Sequence, residues 1–157
     1  MSPAARRPSW TGVVLPLVTL LGLACGPASA QAADPIAGTW EHRDEDGRVD
    51  ALIAFSRAGG TIDGRIVKVF PGEGEPADPV CDACTGALHN APLVGLLIVS
   101  GLRPVHGGYE GGRLIDPDTG GEYAMKARVA GDGRQLEVRA YKGVSILGRT
   151  EIWTRRP

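Results

Sequence analysis

The strongest constraint on this chain is its punctuation. From residue 38 onward, short runs of strand-forming residues are separated by turn clusters, and no run keeps a 3.6-residue apolar period over helical length. The runs span residues 38–43, 49–55, 61–70, 93–102, 109–115, 123–129, 136–140 and 145–155. Between them stand Asp44-Glu45-Asp46-Gly47, Ala58-Gly59-Gly60, Asp116-Pro117-Asp118-Thr119-Gly120-Gly121 and Gly131-Asp132-Gly133. Tight turns need positive φ, which Gly, Asn and Asp tolerate best. Tyr123, Met125, Ala127 and Val129 alternate with Ala124, Lys126 and Arg128. Leu136, Val138 and Ala140 alternate in the same way with Glu137, Arg139 and Tyr141. That period of two belongs to half-buried strands. The aliphatic run at 93–102 is about ten residues long, half of what a membrane helix needs, and reads as a buried strand.

About eight consecutive strands joined by short turns predict an all-β fold, an antiparallel meander. A meander that long tends to curl, and closing it into a barrel removes the exposed edges. Eight strands give a barrel just wide enough to be filled by its own side chains or to hold one small ligand. A two-sheet sandwich is the competing architecture. Glycine usage supports β structure: three of the 23 glycines precede residue 31, leaving 20 in the remaining 127 residues. That is roughly twice the usual 7%, and glycine disfavours helix interiors. Gly64, Gly95, Gly111, Gly112 and Gly148 interrupt the runs themselves, as bends at barrel corners do. One connection breaks the pattern: residues 71–92 hold four prolines, three glycines and two cysteines. A connection of that length is usually functional, covering or disordered.

The first thirty residues read as a leader. Arg6 and Arg7 precede an apolar stretch at 12–24, and Ala28-Ser29-Ala30 offers small residues at −3 and −1. These are the three parts of a secretory signal, cleaved after Ala30 or two residues later. The expected organisation is a cleavable signal at 1–30 and one domain at 31–157, in a periplasmic or secreted protein. Leu21-Gly22-Leu23-Ala24-Cys25 suggests a lipid anchor at Cys25 instead, although Gly22 stands where an aliphatic residue belongs. Pro8 and Ser9 follow Arg6-Arg7 where a twin-arginine signal would continue with apolar residues. Without the leader the chain keeps 15 of its 17 basic residues and all 18 acidic ones, a net charge of about −3. That sign argues against nucleic acid and against adsorption by charge to an anionic membrane.

Gly38-Thr39-Trp40 opens the first strand and Trp153-Thr154-Arg155 ends the last. In a closed antiparallel barrel those strands pair, which brings Arg155 beside Trp40. A guanidinium stacked on an indole is worth roughly 0.5–2 kcal/mol and would close the barrel base. A Gly-x-Trp near the start with a late Arg resembles the lipocalin and wider calycin signature. Further segments extend the likeness: Gly64-Arg65-Ile66-Val67, Asn90-Ala91-Pro92-Leu93-Val94-Gly95, Gly111-Gly112-Arg113-Leu114-Ile115-Asp116-Pro117, Tyr123-Ala124-Met125-Lys126, and Leu147-Gly148-Arg149-Thr150-Glu151-Ile152-Trp153. In this order the chain resembles the bacterial family known as domain of unknown function 2147. The resemblance implies export and a lipocalin-like β-barrel, with Tyr109 where it leads one to expect tryptophan, and it implies no established activity.

Cys81-Asp82-Ala83-Cys84 is the most chemically suggestive local motif. An even pair in an oxidising compartment reads as a small disulfide stiffening the long loop. Thiol-disulfide exchange is a sharper alternative, but such motifs open helices in α/β folds, a pattern this chain lacks. Zinc would need more ligands, and His89 is the only nearby third candidate. His42, His89 and His106 show no ligand spacing and read as surface or loop residues. Ser56, Ser100 and Ser145 lack a nucleophile-elbow context. Asp116-x-Asp118-x-Gly120 hints at a calcium loop, but Ala127 falls where the bidentate Glu would be. No catalytic constellation, phosphate loop or cofactor motif is found.

The expected function is therefore a non-enzymatic binding module, holding a small apolar or amphipathic molecule at the barrel mouth under a lid formed by residues 71–92. Phe55, Ile66, Leu97, Tyr123, Met125, Leu136 and Val138 are the inward-facing cavity candidates, with Trp40 and Arg155 at the closed end. The rival is an envelope structural or protein-interaction domain whose barrel is packed solid. A third reading is a thiol or metal site at Cys81 and Cys84. Interior volume separates the first two, because a ligand site needs roughly 300 Å³.

Overall fold

The structure, a computed structural model, describes residues 33–157. The leader, both cleavage positions and Cys25 lie outside the described residues. Ten strands follow in chain order: β1 Gly38–Arg43, β2 Val49–Ala58, β3 Thr61–Val69, β4 Val80–Cys81, β5 Ala91–Pro92, β6 Leu97–Val105, β7 Gly108–Asp116, β8 Gly121–Val129, β9 Gln135–Tyr141 and β10 Arg149–Arg155. Eight of them close into an antiparallel barrel in the order β1-β10-β9-β8-β7-β6-β3-β2, while β4 and β5 pair apart within the long connection. The expected meander is therefore present, and it is a barrel rather than a sandwich.

Two runs begin later than the residue pattern predicts. Residues 93–96 turn ahead of β6, with Gly95 at φ 96° and the Leu96 amide donating to the Leu93 carbonyl at 3.1 Å, and the turn is tied to β3 by two hydrogen bonds between Ile66 and residues 95 and 96. Residues Ser145–Leu147 form a single 3₁₀ turn ahead of β10. Both segments are aliphatic, and composition alone does not separate an aliphatic turn from a strand end.

The meander sorts its connections to two ends. One end gathers the start of β1, the end of β10 and the β2–β3, β6–β7 and β8–β9 turns. The other, the loop end, gathers the β1–β2, β7–β8 and β9–β10 turns with the long β3–β6 connection.

The first end is sealed by its own chemistry. Trp40 and Arg155 stand opposite each other in register, and the guanidinium lies 4.2 Å from the indole ring centre. Arg155 also donates to three carbonyls: Gly133 at 2.7 Å, Ala37 at 2.9 Å, and Pro35. The Trp40 indole N–H donates to the Ile36 carbonyl at 2.8 Å. Gly38 has φ 118°, and a Cβ there would sit 2.8 Å from Arg155 Nη1. The glycine of the Gly-x-Trp signature is thus required twice, by backbone conformation and by the room the guanidinium takes.

Asp34 anchors the segment leading into β1. It accepts from the Tyr109 hydroxyl, from Arg57 at 2.6 Å and from the Ile36 amide at 3.3 Å. Burial, then the hydrogen bond to Asp34, push the Tyr109 phenol up to about 12.

The barrel is filled from its base to its middle, while inward-facing Leu114, Tyr123 and Ala140 nearer the loop end are half-buried. Trp40, Ile53, Ile62, Val99, Leu102, Met125, Leu136, Val138 and Trp153 each expose 2% of their surface or less. A void wide enough for water would leave accessible area on the side chains around it, so these side chains enclose none. Packing of that kind makes each truncation costly, because the neighbours relax only in part.

The clasp yields a first prediction. Arg155→Met keeps the apolar stem and removes three hydrogen bonds together with the cation–π contact. We expect a loss of about 2–4 kcal/mol in unfolding free energy by urea titration. Gly38→Ala should destabilise as well, and an unchanged midpoint in both variants would contradict the role given to the clasp.

Candidate functional site

The loop end differs from the sealed end in kind. The long connection folds back over the β7–β8 turn through the Cys81–Cys84 disulfide. Cys81 and Cys84 are both buried and belong to the main apolar cluster. The Pro117 carbonyl lies 3.4 Å from Cys81 Sγ. A Cβ on Gly120, whose φ is 67°, would fall 2.0 Å from the Ala83 carbonyl oxygen, so the two turns meet backbone to backbone. The disulfide thus docks the lid onto the barrel. Its buried sulfurs do not resemble the partly exposed thiols of exchange catalysts. Among the described residues, no three His, Cys, Asp or Glu side chains are grouped to hold a metal ion.

Beneath the lid, His42 sits half-buried across the seam where the first and last strands meet. Its Nδ1 lies 2.6 Å from Asp50 on β2, and its Nε2 lies 3.3 Å from Glu151 on β10. The Trp153 indole N–H donates to the same Glu151 carboxylate at 3.2 Å, and the His42 ring stands edge-on to Trp153 at 5.6 Å. Burial pulls the imidazole pKa down, but the hydrogen bonds it donates to Asp50 and Glu151, and their charges, outweigh it and raise it to about 9. The hydrogen bond from His42 in turn holds Glu151 below its usual range. At neutral pH this is an imidazolium held between two carboxylates.

His42 was expected to be a surface or loop residue, and this placement corrects that expectation. The available signal was its period: Gly38, Trp40 and His42 share one face of β1, and Glu151 shares a face with Trp153. Asp50 gave no such signal. The register passes from His42↔Ala51 to Arg43↔Val49, leaving Asp50 as the extra residue of a bulge. His89 and His106 are exposed loop residues.

Of the cavity candidates, Phe55, Ile66, Met125, Leu136 and Val138 lie in the buried cluster and Tyr123 is half-buried. Lys142 Nζ stands 4.8 Å over the Tyr123 ring. Leu97 departs from the set. It pairs with exposed Arg65 and is half-buried, while its neighbours Leu96 and Ile98 are buried. Two register shifts along β3–β6 break the period of two that placed it inward. Clefts of about 240 and 310 Å³ open on the outer surface, one beside the β6–β7 turn and one over Gly111–Arg113 and Glu122–Ala124. Neither enters the barrel axis.

The electrostatics of the loop end are one-sided. Residues 44–50, 70–92, 116–121 and 142–151 carry eleven of the 18 acidic residues and three of the basic ones. Burial, then the negative charges of Asp116 and Asp50, hold the Asp118 carboxyl above its usual range.

A closed eight-stranded antiparallel barrel, plugged at one end by Trp and Arg and lidded at the other, is a lipocalin-like barrel. The chain belongs to the family described as an uncharacterized protein conserved in bacteria, DUF2147, which it matches over residues 38–155. Among solved structures it is similar to protein HP1028 from Helicobacter pylori, described as belonging to the lipocalin family. That match has a TM-score of 0.67 and 18% identity, and covers 78% of this chain and 83% of the other. At that identity the likeness bears on the fold alone. No curated protein matches the chain.

Two predictions follow from this geometry. The folded His42 pKa of about 9 lies above the ordinary histidine value of 6.5, so its stabilisation is complete below pH 6.5 and is lost as pH rises through 9. Over that window the native protein should lose about 2 kcal/mol more stability than His42→Gln does, measured by denaturant titration at each pH. Equal losses would contradict the ion-paired imidazolium. Separately, Cys81→Ser with Cys84→Ser should lower stability by at most about 2 kcal/mol from the small loop released. Amide exchange should rise in residues 71–92 and at the β7–β8 turn while the barrel strands stay protected.

Proposed function

We propose that this protein is an exported, non-enzymatic binding module that works through the loop end of a barrel packed from base to middle. One observation carries the reading: from Trp40 and Trp153 up to Met125 and Val138 the barrel side chains expose 2% of their surface or less, so contact with other molecules falls to the loop end and the outer surface. The loop end is the part of that surface where apolar side chains and uncompensated carboxylates coincide. Export rests on Arg6-Arg7, the apolar stretch and Ala28-Ser29-Ala30, and intact mass of the protein recovered from its native host tests it.

A second reading, a small apolar or amphipathic ligand held inside the barrel, is favoured by the likeness in fold to a lipocalin-family protein. Native mass spectrometry of gently purified protein separates the two, with titration of fatty acids and hydrophobic probes followed by indole emission. Loop-end function predicts a mass equal to the chain and no saturable change in Trp40 or Trp153 emission. Stoichiometric, saturable binding that shifts that emission would overturn it in favour of the interior site.

A further inference from the structure

The β9–β10 turn carries the most exposed apolar side chains on the surface. Ile146 and Leu147 each expose 81% of their area, and Val144 exposes 59%. Burying such side chains on a partner removes apolar area from water, the main driving force of association. The turn is built to present them. Arg139 reaches from β9 and donates from Nε to the Ser145 carbonyl at 2.7 Å and from Nη2 to the Ile146 carbonyl at 3.0 Å. Its Nη1 donates to Thr150 Oγ1 at 2.7 Å. One guanidinium therefore grips the backbone of the very residues whose side chains point outward.

The charges nearby indicate what covers this tip. The cations of the turn are engaged within the molecule: Arg139 with those carbonyls, Arg149 with Glu151 at 3.2 Å and Glu45 at 4.0 Å, and Lys142 over Tyr123. Several carboxylates elsewhere at the loop end are not. Asp46, Glu73, Asp78 and Asp82 are exposed and, among the described residues, have no Lys or Arg within ion-pair distance. Val80 and Val94 add exposed apolar surface on the long connection at the same end.

We propose that the loop end docks a basic amphipathic segment of a partner protein, its apolar face on Val144, Ile146 and Leu147 and its cations on the unpaired carboxylates. The assignment rests on the loop-end reading above and adds the partner's chemistry to it. A convex tip cannot enclose a small molecule. An anionic bilayer, or a second copy meeting this one loop end to loop end, would set like charges together. A basic amphipathic segment satisfies both the shape and the sign.

The test uses the full mature chain and three synthetic helix-forming peptides: an amphipathic Leu/Lys peptide, a scramble of the same composition, and its Leu/Glu counterpart. Calorimetry should show saturable one-to-one binding of the Leu/Lys peptide, about tenfold or more tighter than the scramble. Ile146→Ser with Leu147→Ser should weaken it by a similar factor, with an unchanged melting curve as the folding control. Asp78→Asn with Asp82→Asn should flatten its salt dependence. Equal affinity for the scramble, indifference to the tip variants, or no binding of the Leu/Lys peptide overturns the proposal. Binding of the Leu/Glu peptide through the tip would overturn the charge class while leaving the loop-end reading intact. A peptide that ignores the tip and displaces a probe from the barrel interior would overturn both.

Discussion

Everything in this barrel depends on joining its first strand to its last, and that seam is the least extensive in the barrel. Only Trp40↔Arg155 and Glu41↔Thr154 register across it, whereas the other barrel seams register at least three pairs. Two ladder rungs are a weak lock, so side chains complete the closure at both ends. At the base, Arg155 reaches carbonyls contributed before β1 and by the β8–β9 turn, as well as the Trp40 ring. Towards the loop end, the His42 imidazolium spans from β2 to β10 where the ladder has run out. A charged group is expensive to bury alone, but each of these is supplied with acceptors or opposite charge.

The base clasp and the packing above it have a joint consequence for function. Trp40 and Trp153, together with Met125, Leu102 and the branched aliphatics, are buried to 2% exposure or less and fill the barrel from its base to its middle. The likeness to a lipocalin-family protein bears on the fold of the barrel and not on what it holds. What remains distinctive is the asymmetry between ends: one sealed by a neutralised network, the other crowded with carboxylates and carrying apolar side chains on a turn that a guanidinium holds in place.

Much of the architecture was legible before any coordinates, and the reasons are local. Alternation in residues 123–129 and 136–140 identifies half-buried strands because side chains on a pleated strand point to opposite faces in turn. Asp-Gly and Gly-Gly turns mark the hairpins because few residues accept positive φ. The same logic fails wherever the ladder slips. Leu97 was placed on the wrong phase by shifts along β3–β6, and Asp50 faces His42 only through a bulge. Ser145–Leu147 and residues 93–96 resemble strand by composition, yet they turn. In each case a partner distant in the chain decides the outcome, and periodicity within one segment does not register it.

The order of residues alone determined the eight strands of the barrel and their antiparallel succession, because these follow from short-range pattern, whereas the small β4–β5 pair inside the long connection left no such mark. Tertiary structure alone decided that the barrel is packed from base to middle, that His42 is a half-buried cation rather than a surface histidine, and that Ile146 and Leu147 face outward. Those outcomes depend on volumes, registers and electric fields summed over side chains far apart in sequence, which no local window contains.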